Sequence, residues 1–128
     1  RYFAGCVDEN GVREEIRRTW AENHYLMDTH TAVASAVLRA YQAQTGDTRQ
    51  SVIVSTASPY KFGASVLGAV AGQKACDGLD DFACCRALAE LTGTREPAQI
   101  LALPDLPIRH TAVCEKDKMA QAVLDAVK

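Results

Sequence analysis

The run Ser51-Val52-Ile53-Val54-Ser55 constrains the fold more than any other stretch of the chain. It is short, β-branched and apolar at its centre, the pattern of a strand buried in a parallel sheet. A hydroxyl-rich turn, Ser55-Thr56-Ala57-Ser58, follows at once. Pro59-Tyr60-Lys61 then opens an apolar run in which Phe62, Val66, Ala69 and Val70 share one helical face. Ser58 is placed to cap that helix and Pro59 to fill its first position. Strand, tight loop and helix in this order are the local signature of an α/β fold. In open α/β folds, ligands bind where strands end and helices begin.

The rest of the chain is richer in helices than in strands. Phe3 to Val7 reads as a short strand or loop, and Asp8-Glu9-Asn10-Gly11 as a turn. Val12 to Asn23 has helical spacing, with Ile16 and Trp20 four apart and Glu14, Glu15, Arg17 and Arg18 expected in water. Asp28 or Thr29 caps a second helix, His30 to Gln44, whose apolar face is Val33, Ala36, Val37, Ala40 and Tyr41, and Gly46 ends it. Asp80 or Asp81 caps a further helix that runs to Leu91, with Phe82, Cys85, Leu88 and Leu91 or Thr92 inward and Gly93 as its stop. Glu96 to Asp105 reads as loop anchored by Ile100, Leu101 and Leu103. Ile108 to Cys114 reads as a second short strand, and Lys116 to Val127 as a last helix with Met119, Val123 and Val127 four apart. A parallel sheet standing alone prefers more strands than these, which points to part of a larger fold.

Composition sets the bounds. The 128 residues are 48% hydrophobic and 23% charged, and this fits one globular domain with a moderate core. Net charge is −2 with no basic block, which argues against a nucleic-acid partner. No apolar run is long enough to span a bilayer, and the opening Arg-Tyr-Phe-Ala-Gly does not read as a signal peptide. The chain enters without an initiator Met, as expected of a processed protein or of a piece of something longer. Five cysteines, an odd number with Cys84 and Cys85 adjacent, argue for reduced and mostly buried thiols in a cytoplasmic protein, with at most one of that pair buried. They and three scattered histidines make no zinc set.

Two places can carry chemistry. Backbone N–H groups at the start of the helix after Ser58 favour an anion, and Lys61 in its first turn suits a ligand phosphate. The plainer alternative is a simple cap with Lys61 in solvent. Asp28, His30 and Thr31 form the second candidate: either a helix cap, or a proton-handling group at His30. His24 and His110 read as surface or packing residues. No glycine-rich nucleotide loop, phosphate-binding loop or His-Glu-x-x-His zinc motif occurs.

Read together, "DTHTAVASAVLRAY" from Asp28 and "VIVSTASPYKF" from Val52 resemble paired motifs in the C-terminal part of threonine synthase. That family commonly shows Asp-Pro-His-Thr-Ala-Val, then a strand ending in Ser-Thr-Ala-His-Pro-Ala-Lys-Phe. The upstream "FAGCVDENGVREEIRRTW" resembles the segment before the first of these motifs. The chain departs from the pattern at Thr29, Ser58 and Tyr60, where Pro, His and Ala are usual; Ser58 therefore brings a hydroxyl and no imidazole. The resemblance implies a helix-rich C-terminal fragment, spanning residues 1–128, of a tryptophan-synthase-like (fold type II) pyridoxal-phosphate enzyme with few parallel strands.

The implied parent converts O-phospho-L-homoserine and water to L-threonine and phosphate. Its Schiff-base lysine and phosphate cradle lie upstream of this chain, so the isolated fragment is expected to be inactive and not to hold the cofactor. Thr56, or alternatively Ser55, is implied as the hydroxyl facing the pyridine nitrogen. Lys61, Ser58, Asp28 and His30 are implied as support for the substrate pocket. The expected partner is the N-terminal portion of the same chain, with self-association through exposed apolar surface. The rival reading is a non-catalytic module of the same fold that binds a phosphorylated ligand or a protein. A small Cys or His hydrolase is the third, and it lacks any supporting local arrangement.

Overall fold

Asp8 starts the first helix. Its Oδ1 accepts the Gly11 N–H at 2.8 Å, so Asp8-Glu9-Asn10-Gly11, read as a turn, is a cap and the first turn of α1 (Glu9–Asn23). The computed structural model describes residues 2–127. α1 stops at His24, which lies in the left-handed region (φ 51°) and donates its N–H to Trp20 O. α2 (Thr29–Thr45) begins at the Asp28 cap and ends at Gly46, whose φ of 68° is open to glycine at little cost. α3 (Gly63–Ala71) and α4 (Asp81–Thr92) complete the packed part; Asp80 caps α4 and Gly93 (φ 66°) closes it.

α1 packs against α2 and α3, and α3 packs against α4. Ile16, Ala32, Val66, Leu67, Cys84 and Leu88 fill the space between them and are all but removed from water. Burying side chains of this size stabilises by roughly 1.5–3 kcal/mol each for the larger ones. The α3–α4 contact depends on glycine: a Cβ at Gly63 would lie 2.5 Å from Cys85 Sγ and 3.2 Å from Cys85 N. Tyr60, also buried, donates its hydroxyl to Thr94 O at 3.1 Å and so ties the turn before α3 to the chain after α4.

Several expectations need correction. Among the described residues there is no β-strand. Ser51 to Ser55 and Ile108 to Cys114 have the right residues, but a strand exists only against a partner's ladder, and Val52, Val54, Ile108 and Val113 all stand exposed. Phe3 to Val7, expected as a short strand or a loop, is a loop, and Phe3 packs edge-on against Tyr41 at 5.0 Å. Ser58 does cap, accepting the Tyr60 N–H at 3.3 Å, but Pro59–Phe62 is a 3₁₀ turn and the α-helix begins only at Gly63. The stretch read as loop contains α5 (Ala98–Leu101) and a 3₁₀ turn, Leu103–Asp105. The last helix is a 3₁₀ turn, Lys116–Lys118, followed by α6 (Met119–Ala126).

Burial departs from the pattern as well. Cys84 and Cys85 are both buried: Cys85 lies against Gly63 of α3 and donates its thiol to Tyr60 O at 3.1 Å, and Cys84 has no exposed surface. Cys6 and Cys114 are exposed, so the thiols are not mostly buried. Burial pushes the Cys84 and Cys85 thiols up from their ordinary value. Glu15, expected in water, is buried with Ile16 on the side of α1 facing α2. The most enclosed face of α2 is Thr31, Ala32 and Ser35; the expected face through Val33, Ala36, Val37 and Tyr41 is half-buried and Ala40 is exposed.

Candidate functional site

A buried carboxylate joins the start of α2 to the loop before α3. Asp28 has no exposed surface. Its Oδ1 accepts the His30 N–H at 2.8 Å and the Thr31 N–H at 3.2 Å, the backbone donors that a helix start leaves unmatched. Its Oδ2 accepts the Thr31 hydroxyl and lies 3.5 Å from Ser55 Oγ. Ser55 Oγ is 3.1 Å from Thr31 Oγ1. Burial alone would raise the Asp28 pKa. The hydrogen bonds from Thr31 and His30 outweigh it and hold the carboxyl below its ordinary 3.8, so Asp28 is an anion at neutral pH.

The two stretches singled out in the sequence therefore meet through Asp28, Thr31 and Ser55. His30 stands beside them, with Nδ1 3.4 Å from Asp28 Oδ1 and its ring 5.0 Å from that of Phe62. Thr56 is exposed on the same loop and its hydroxyl makes no hydrogen bond among the described residues. Ser58 is occupied with its cap. Lys61 is exposed and forms no ion pair among the described residues.

These residues border different clefts. Ser55 and Thr31 line one of about 390 Å³ with Arg18, Tyr25, Met27 and Ile53. His30 lines one of about 360 Å³ with Arg13, Val33 and Ser65. Lys61 lines one of about 490 Å³ with Phe62, Phe82, Cys85 and Ile100. Asp28 and Ser55 are brought together, while Lys61 faces another hollow.

A second polar network supports the first. Glu15 accepts Ser35 Oγ and Arg18 Nη2 at 2.5 Å each, and Arg39 Nε lies 3.6 Å away. Burial opposes the charge on Glu15, yet the hydrogen bonds from Arg18 and Ser35 hold its carboxyl below the ordinary value. The network fixes α1 to α2 one turn beyond Thr31. Sequence reading missed it because Glu15 looks like an exposed helical glutamate; its only signal is a serine inside the alanine-rich face of α2. Among the described residues no three His, Cys, Asp or Glu side chains are grouped to hold a metal ion. None of the described helices is long and apolar enough to cross a membrane.

The class defined by these features is a helical domain carrying a hydroxyl-rich loop clasped to the start of one of its helices. A family model described as threonine synthase, C-terminal, matches residues 31–123. The chain belongs to that family, and it corresponds to the C-terminal part of threonine synthase.

Proposed function

We propose that residues 1–128 form a C-terminal portion of a threonine synthase of the tryptophan-synthase-like fold, a pyridoxal-phosphate-dependent carbon–oxygen lyase acting on O-phospho-L-homoserine. The observation that carries this reading is the meeting of the Asp28-Thr29-His30-Thr31 and Ser55-Thr56-Ala57-Ser58 stretches at one buried anion, within a chain that the family model matches over residues 31–123. The donor set fits the implied cofactor on one side only. Ser55 and Thr56 offer uncharged hydroxyls, which suit a pyridine nitrogen left without a proton. When bound, the cofactor supplies the electron sink for carbanion chemistry.

This chain's residues supply one wall. Thr56 presents a hydroxyl to the ring nitrogen, and Asp28 and Thr31 hold the loop that carries it. Lys61 borders a different hollow from Ser55, so it draws the substrate phosphate by longer-range charge and not by contact at the Ser55 cleft, while Ser58 keeps the first turn after the loop in place. His30, packed on Phe62, braces the start of α2. The N-terminal portion of the enzyme supplies the Schiff-base lysine and phosphate cradle, so the chain alone is inactive and does not hold the cofactor.

The test is reconstitution. The chain is co-expressed with the upstream portion of a threonine synthase, and phosphate release from O-phospho-L-homoserine is followed with pyridoxal phosphate present. Turnover that appears with this chain and drops on Thr56→Val bears the reading out. No turnover, together with saturable binding of a phosphate ester by the chain alone, replaces it with a non-catalytic binding module.

A further inference from the structure

The geometry points to a fixed donor–acceptor polarity in the loop hydroxyls: through Thr31, Asp28 draws the Ser55 proton inward, so Ser55 meets a ligand as an acceptor and Thr56 is the hydroxyl left to donate. This rests on the reading above of the loop as a ligand-facing wall.

The polarity follows from a count of protons. An ionised carboxylate has lone pairs and no proton, and a hydroxyl has one proton. The closest contact in the cluster is between Thr31 Oγ1 and Asp28 Oδ2. Two bare oxygens so placed would repel, so the Thr31 proton lies between them. Ser55 Oγ then faces Thr31 Oγ1 at 3.1 Å and Asp28 Oδ2 at 3.5 Å. Neither has a proton left to give, and only the Ser55 proton can fill either contact. Both inward directions accept, so the remaining lone pairs of Ser55 are what it offers elsewhere. Ser55 also borders the cleft of about 390 Å³. Thr56 is exposed and has no such bond among the described residues. A ring nitrogen without a proton needs a donor, which selects Thr56. A ligand N–H or O–H selects Ser55. Asp28 touches no ligand in this scheme and is a positioning residue.

The chain itself provides the first test. Proton NMR at low temperature, with labelled serine and threonine, reads hydroxyl exchange. Ser55 and Ser65 are both exposed residues, so burial does not separate them; the Ser55 hydroxyl is expected to exchange about tenfold more slowly, as a hydrogen bond into the charged cluster gives. Thr31→Val leaves Asp28 Oδ2 3.5 Å from Ser55 Oγ as a free acceptor, so Ser55 stays slow in that variant. Asp28→Asn returns Ser55 to the Ser65 rate by turning the Thr31 proton toward Ser55. Equal exchange of Ser55 and Ser65 in the unaltered chain overturns the inference.

The reconstituted enzyme provides the second, through the ¹⁵N shift of labelled cofactor. Thr56→Val moves the ring-nitrogen signal and Ser55→Ala leaves it in place; the reverse overturns the polarity. If the assembly takes up no cofactor, the functional reading fails, and the exchange rates alone decide the polarity.

Discussion

Residues 9–92 and residues 101–127 use similar apolar residues to opposite ends. In the first region α1 to α4 bury Ile16, Val66 and Leu88 completely. In the second, every described residue is exposed, Met119, Val123 and Leu124 of α6 and Val127 just after it among them. α6 has a helical apolar spacing as regular as that of α3, yet each of its residues is exposed. Periodicity thus encodes an intention to be buried, and burial itself requires a neighbouring surface.

The largest contrast is expected from paired truncations. Leu88→Ala empties a site with no exposed surface and should cost about 2–5 kcal/mol in urea unfolding. Gly63→Ala comes next. Its Cβ meets Cys85 Sγ at 2.5 Å, so α3 and α4 must move apart, at about 1–3 kcal/mol. An unchanged midpoint for Gly63→Ala would show that the α3–α4 contact yields more easily than its geometry states.

Acid gives a third, smaller effect confined to the first region. Asp28 and Glu15 are held below their ordinary values of 3.8 and 4.5. The stability they contribute is fully present above those values and is lost as pH falls through the lower, folded ones. Melting temperature should therefore decline below about pH 4.5, and less steeply in Glu15→Gln. The smallest effect belongs to the second region: Leu124→Ala should alter stability by less than about 0.5 kcal/mol. A fall in apparent mass on sedimentation of Leu124→Asp would identify the exposed face as the surface through which copies associate.

The helix ends were readable because their chemistry is local. Asp28 and Asp80 cap, Gly46 and Gly93 stop, and each does so through bonds within four residues in sequence. The candidate loop was readable for the same reason, as Ser58 lies two residues from the N–H it accepts. What depends on distant partners was not. Glu15 is buried only because Ser35 and Arg39 of α2 lie across from it. Cys85 is buried beside Cys84 because Tyr60 O and Gly63 come from another part of the chain. Ser51 to Ser55 has every residue a strand wants except a second strand. Likewise the clasp itself, Ser55 on Thr31 and Asp28, spans more than twenty positions, and the sequence offers only the two motifs.

The thiols, placed as they are, make the molecule its own stopwatch. Cys6 and Cys114 stand open, Cys76 is half-covered with its thiol donating to Ala64 O, and Cys84 and Cys85 are sealed between helices. A thiol-specific dye added to the native chain would colour the two open positions within its mixing time. The sealed pair would follow only as fast as α3 and α4 separate, turning reagent uptake into a direct reading of how often the core opens.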